Sequence, residues 1–264
     1  MTLVDDQLLA PLPKSATRRG AGLRRLGGFL VPLLLLGCWQ VVSAREIIVT
    51  RLLPAPSTVG QALWQFFFGD SVVGIAGVVP FTGAGFVHLQ ASLGRCLVSW
   101  LLAVAVGSSV GLLLGLSRVA RDLLDPVLNA LRAVPLFAWL PLTLIWFGIG
   151  EGAARAIIFI GALWPILVAV ADSTNRVPRS YVETARMLGT PRRALWRKVY
   201  LPSALPEVVT GLRLSLTLAW TCVIVGELTG TDRGVGAMMN AARETGRTEQ
   251  VVVGILVFAA VGLV

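Results

Sequence analysis

Long apolar runs recur along this chain and constrain its fold more than any other feature. The stretches "CLVSWLLAVAVGSSVGLLLGL" (Cys96–Leu116) and "ARAIIFIGALWPILVAVA" (Ala154–Ala171) are two examples. Each approaches or exceeds the roughly 20 apolar residues a helix needs to cross a bilayer core about 30 Å thick. One polytopic helical domain is the default for such runs. Composition agrees: charged residues make up 14% of the 264, against about 25% in soluble proteins. The expected fold class is all-α, a polytopic membrane protein of about six transmembrane helices.

The spans follow in order. Residues 1–27 form a polar, basic tail, and 28–264 form the membrane domain. The run from Phe29 to Ala44 is short and has Val42-Ser43-Ala44 at its end, which imitates a signal-peptide cleavage site. The long basic lead and the later spans favour a retained first helix. Pro54 and Pro56 then stop the chain, and Ser57 or Thr58 is placed to cap a short helix ending at Phe68. The second span covers about 89–116, with Gly107, Gly111 and Gly115 as a small-residue stripe for close helix approach. A third, about 126–148, contains Pro135 and Pro141, either able to kink it. The others run over about 154–171, 206–230 and from 249; the last is still apolar at Val264, so it is either short or part of a longer chain.

The net charge is +9, carried by 21 Arg and 2 Lys. In a soluble domain that excess points to nucleic acid. In a membrane protein it reports topology, because basic residues gather in cytoplasmic loops. With the N-terminus inside, segments 1–27, 116–127 and 175–205 carry 14 basic residues, and the opposite loops carry 6. The chain is therefore read as N-in, with 175–205 in the cytoplasm, facing membrane lipid and no nucleic acid. Cys38, Cys96 and Cys222 are far apart and form no metal-binding pattern. His88, the sole histidine, begins a span and is read as a cap or headgroup contact.

The segment 175–205 is far longer than usual links between packed helices. "YVETARMLG" has helical spacing, with Glu183 placed in the first turn and Gly189 ending the helix. Thr190 and Pro191 start a second short helix that Leu201-Pro202 closes. Taken alone, this unit is either a basic loop on lipid headgroups or a docking element.

The spacing of Glu183, Ala185, Gly189, Val199, Leu201 and Pro202 resembles the EAA loop of permease subunits of binding-protein-dependent ABC importers. Thr184 and Val199 depart from that pattern. Blocks such as "HLQASLGR" and "LLDPVLNALRAVPLFAWLPLTLIWFGIG" are similar to the taurine, aliphatic sulfonate and nitrate branch. The resemblance implies a type I ABC importer permease fold in the bacterial inner membrane. It also implies a homodimer, two cytoplasmic ABC ATPases that bind ATP and Mg, and a periplasmic or lipid-anchored substrate-binding protein. The loop is the implied coupling helix, with Glu183, Ala185, Arg186, Gly189, Arg192 and Arg193 as contacts.

No G-x-x-x-x-G-K-[ST] occurs, so no P-loop ATPase site and no cofactor is expected in this chain. The Gly-rich "GTDRGVG" at 230–236 is read as a turn. For the translocation path, helical spacing puts Arg213, Thr217, Trp220, Ile224 and Glu227 on one face, with Thr221 beside them. Arg132, Leu136, Trp139, Thr143 and Trp146 form a second face. These faces line either the pore or the dimer interface, and Arg132 and Arg213 can alternatively snorkel outward. Glu227 would repel an anionic cargo, so a paired or protonated structural role is expected. The implied cargo is a small anion, taurine or an aliphatic sulfonate first and nitrate or another small solute second. An intramembrane enzyme is a different class; it needs a metal or nucleophile cluster that the sequence does not offer.

Overall fold

With no water to drive helices together inside a bilayer, they associate where small residues let backbones approach. The computed structural model describes residues 20–45, 52–69 and 81–263, and its secondary structure there is helical. The chain divides into two units, Met1–Ser57 and Thr58–Val264. The first contains α1 (Gly20–Ala44), whose Leu33–Leu35 side chains are exposed. The basic tail at 1–19 lies outside the described residues.

The second unit is organised around α3 (Gly85–Leu116), α6 (Glu151–Asn175) and α9 (Leu201–Glu227). Helix α6 is the central element, with Ala153, Ala154, Ile157, Ile158 and Ala162 fully buried. Helices α3 and α6 run parallel, and the glycine stripe lies along their seam as expected. A Cβ at Gly107 would lie 3.2 Å from Ile166 Cγ2, at Gly111 2.7 Å from Leu167 O, and at Gly115 2.6 Å from Thr174 Cβ. Helix α9 packs antiparallel on α6: Gly226 abuts the Ala154 backbone, and Ser215 Oγ donates to Ala162 O at 2.7 Å.

Among the described residues, three helices are long and apolar enough to cross a membrane: 85–116, 151–175 and 197–227. The third expected span differs from a straight helix over 126–148. Helix α4 (Arg118–Ala133) begins earlier, and the chain bends by 94° before α5 (Leu140–Phe147). Pro135 sits at the bend, where its ring and missing N–H break the hydrogen-bond ladder. Pro141, by contrast, occupies the first turn of α5, where the N–H is dispensable. Counted as one broken span, this pair is a fourth crossing.

The remaining expected spans are shorter apolar helices, Leu30–Ala44 and α11 (Thr248–Gly262). At 1.5 Å per residue, the 15 residues of α11 rise about 22 Å, less than a bilayer core. Before α11 lies α10 (Val235–Glu244), which ends on Gly246 at φ +71°. Near the start of the unit, α2 (Pro56–Phe68) begins at Pro56, so Ser57 and Thr58 lie inside the helix and not at its cap.

The fifth span also starts earlier than expected. Short α8 (Arg192–Leu195) continues through a π-helical turn, Trp196–Tyr200, directly into α9. Leu201-Pro202 therefore closes nothing: Pro202 occupies the first turn of α9, where proline is tolerated.

The α3–α6 seam gives a direct test. Gly111→Val forces a side chain into Leu167 O and Val170, and overpacking of this kind costs about 1–3 kcal/mol. Its thermal midpoint in detergent should fall clearly below that of Gly94→Ala, whose new methyl meets nothing within 4 Å.

Candidate functional site

Two constellations occupy opposite ends of this bundle. The first follows α6, where α7 (Arg179–Met187) leads into a tight stop. Thr190 N donates to Ala185 O at 3.0 Å and Gly189 N to Arg186 O at 2.9 Å, the paired bonds of a Schellman cap. That cap needs a left-handed residue, and Gly189 supplies it at φ +74°. Its shape leaves the tip bare: Met187 is 87% and Leu188 80% exposed.

Glu183 is exposed too, but it is the fifth residue of α7 and lies beyond its first turn. An acid at that position gains little from the helix dipole, whose effect fades within one turn. Ala185 is half-buried and Arg186 exposed. Arg192 and Arg193 open α8, but their side chains lie outside the described residues. The second short helix begins one residue later than expected, with Pro191 O accepting from Ala194 N at 2.8 Å.

The two candidate path faces do not survive intact. The bend at Pro135 puts Arg132 at the end of α4 and Trp139 in a separate 3-10 turn, Leu136–Trp139, so they share no helix face with Thr143 on α5. Thr143 is buried and donates to Leu140 O at 2.8 Å, while Trp139 Nε1 is buried with no acceptor. Arg132 instead borders a cavity of about 420 Å³ with Trp164, Asp172, Glu207 and Thr210. On α9, Trp220 turns toward α11: its Nε1 donates to Phe258 O at 3.1 Å. Arg213, Thr217 and Thr221 remain as an exposed line at four-residue spacing.

Glu227 lies elsewhere, at the heart of the second constellation. This forms where α3 and α6 begin and α9 ends. Arg95 of α3, 4% exposed, donates through Nη1 to Glu227 Oε1 and through Nη2 to Glu151 Oε1. Its Nε donates to Glu151 Oε2 at 3.1 Å, and Nη2 also reaches Arg233 O at 2.9 Å. Glu227, fully buried, further accepts from Ser92 Oγ at 2.6 Å and from Gly236 N at 2.7 Å.

Three successive backbone N–H groups thus find side-chain acceptors at the start of α10. Gly234 N donates to His88 Nδ1 at 3.1 Å and Val235 N to Ser92 Oγ at 2.9 Å, beside the bond from Gly236 N. His88 is therefore a buried structural acceptor, stacked on Phe66, and not a headgroup contact. The Gly-rich stretch at 230–236 is a turn through Gly234 that runs into the start of α10, moored by this network. A cavity of about 500 Å³ lies beside it, bordered by Gln90, Gly94, Arg95, Glu151, Arg155 and Arg233.

Comparison with known proteins decides the family. Residues 103–264 match the family described as "Binding-protein-dependent transport system inner membrane component". The chain belongs to this family. As a permease of an ABC importer it is a multi-pass membrane protein and a transport subunit. It is 34% identical to the putative aliphatic sulfonates transport permease of Bacillus subtilis (strain 168), over 95% of this chain and 88% of that one. It is 36% identical to the taurine transport system permease of Escherichia coli (strain K12), over 85% and 79%. Its fold matches the MetNI methionine ABC transporter in an inward-facing conformation, with a TM-score of 0.55, 26% identity, and coverage of 67% of this chain and 90% of that one.

The ionic cluster of this permease was only partly visible in its sequence. His88, Ser92 and Arg95 stand at intervals of four and three, one polar face at the head of an apolar helix. Their partners lie 56 to 146 residues away, and no local pattern names them.

Removing one partner of a buried ion pair strands the other charge, at a cost of about 3–5 kcal/mol. Arg95→Met should therefore sharply reduce folded yield and thermal midpoint in detergent. The double substitution Arg95→Met with Glu227→Met should recover most of that loss, because neither charge is left buried alone.

Proposed function

We propose that the permease imports a small oxyanion, with taurine or an aliphatic sulfonate as the best-supported cargo. ATP hydrolysis by two separate cytoplasmic subunits drives it. The observation that carries the coupling part is the tip of α7: a glycine-capped helix end presenting bare Met187 and Leu188 with Glu183 and Arg186 exposed around them. Large apolar side chains held out at a rigid turn are what a partner's groove requires. Glu183, Ala185, Arg186, Gly189, Arg192 and Arg193 are assigned to this contact. ATP and Mg belong to the partner, and this chain carries no cofactor of its own.

The positive-inside bias supports a cytoplasmic N-terminus and loop in the bacterial inner membrane. A second permease copy then covers the exposed line Arg213, Thr217 and Thr221 at a central path. Arg132 and the unfilled donor of Trp139 are further candidates for that path. Guanidinium, hydroxyl and indole donors all suit sulfonate oxygens. A binding protein, periplasmic or lipid-anchored, delivers the cargo.

Nitrate is the second reading, supported by a nitrate import permease of Leptolyngbya laminosa that is 33% identical over 87% of this chain. Its small oxyanion needs the same donors in less space.

Co-purification with the ATPase, followed by hydrolysis assays as a binding protein is titrated with taurine, an alkanesulfonate or nitrate, separates these readings. Stimulation by taurine or an alkanesulfonate is expected, and stimulation by nitrate alone would replace the cargo assignment. Gly189→Pro removes the left-handed stop and should abolish coupled hydrolysis. Glu183→Arg should weaken ATPase association. Assembly and uptake untouched by both would overturn the coupling role.

A further inference from the structure

Arg95 is shared between two carboxylates whose surroundings differ. Glu227 is fully buried and held by Ser92, Arg95 and the N–H of Gly236, so releasing it would strand a charge inside the protein. Glu151 is different: its side chain is 48% exposed. Arg155, one turn further along α6, already contacts Glu151 Oε2 at 3.3 Å. Glu151 can therefore leave Arg95 for water and Arg155 without stranding its own charge; the cost falls on Arg95, whose Nε loses its acceptor while Glu227 and Arg233 O keep the other contacts.

The backbone leading into Glu151 turns at two glycines just before the buried Ala153 and Ala154. Glu151 is the first residue of α6 and follows Gly148 and Gly150, both left-handed at φ +73° and +115°. The 500 Å³ cavity lies against the Arg95–Glu151 contact and gives the separating groups room and solvent.

We propose that Arg95, Glu227 and Glu151 form a latch between the outer ends of α3, α6 and α9. Arg95–Glu227 is its fixed half, and Glu151 is its releasable arm. When the arm is engaged, the start of α6 is pinned to α3 and this end of the protomer is closed. When the arm swings to Arg155, α3 and α9 stay joined through Glu227, α6 stays packed on α9 at Ala154–Gly226, and only the tie from α6 to α3 is released. Arg95 and Glu151 are thus positioning residues: they touch no cargo and set the balance between closed and open outer ends. That this balance belongs to a transport cycle rests on the importer reading above; the latch itself rests on the geometry.

The test uses the permease assembled with its ATPase in lipid nanodiscs, where both faces meet reagent. Cys38→Ser removes the exposed native thiol, Cys96 and Cys222 being buried, and Ala91→Cys places a reporter in the cavity wall. Maleimide modification of that reporter should accelerate about tenfold in Glu151→Gln, the scale of one lost charge-assisted contact. Glu151→Asp should restore a near-parental rate. Hydrolysis without binding protein should rise in Glu151→Gln and its stimulation ratio should shrink, with the thermal midpoint near that of the parent.

An unchanged modification rate in Glu151→Gln would overturn the latch. So would a midpoint loss as large as that of Glu227→Gln, because a releasable arm does not carry the fold. If the parent complex responds to no binding protein, the importer reading fails, while the thiol rates still decide the latch.

Discussion

A bilayer core offers no water to a bare polar group, and much of this structure follows from that constraint. Backbone groups are satisfied inside helices, and helices meet where glycine removes the side chain between them. The cost is highest for charge. Arg95 and Glu227 are tolerated inside the bundle because four of the five guanidinium donor directions and both carboxylate oxygens find partners. Those partners come from α3, α6, α9 and the turn before α10, so one ionic knot ties together elements far apart in sequence.

The opposite end of the bundle uses the reverse strategy. There the chain leaves apolar groups unpartnered at a glycine stop, with Met187 and Leu188 held outward. An ion-paired, largely buried cluster at one end and an exposed apolar tip at the other are joined by α6, whose first residue is Glu151 and whose last turn precedes α7. One continuous helix, with Pro165 inside it, thus joins the two ends.

Much of the fold was legible in residues alone, for identifiable reasons. Gly107, Gly111 and Gly115 announced a close seam because their spacing matches the helix period, and the seam lies on α6. Gly189 announced its left-handed stop because few other residues adopt it without strain. Pro135 was recognisable as a possible break, but the sequence could not choose it over Pro141: both lack the N–H, and only their place relative to a helix start separates them. Leu201-Pro202 misled for the same reason, since proline in a first turn is harmless. Helical faces drawn through a bend, as for Arg132 and Trp139, fail because periodicity assumes one straight axis.

The sequence by itself determined class, family and the loop that carries the coupling proposal, because hydropathy, charge asymmetry and the Glu183–Pro202 spacing are local properties of a linear chain. A paired, structural Glu227 was expected from its charge alone, but only the tertiary structure decided that its partners are Ser92, Arg95 and Gly236, that His88 is a buried acceptor, and that Arg95 is shared with Glu151. Apart from the bond from Gly236, those pairings join residues 56 to 146 positions apart. Their partners are chosen by how helices pack, and no spacing along the chain records that choice.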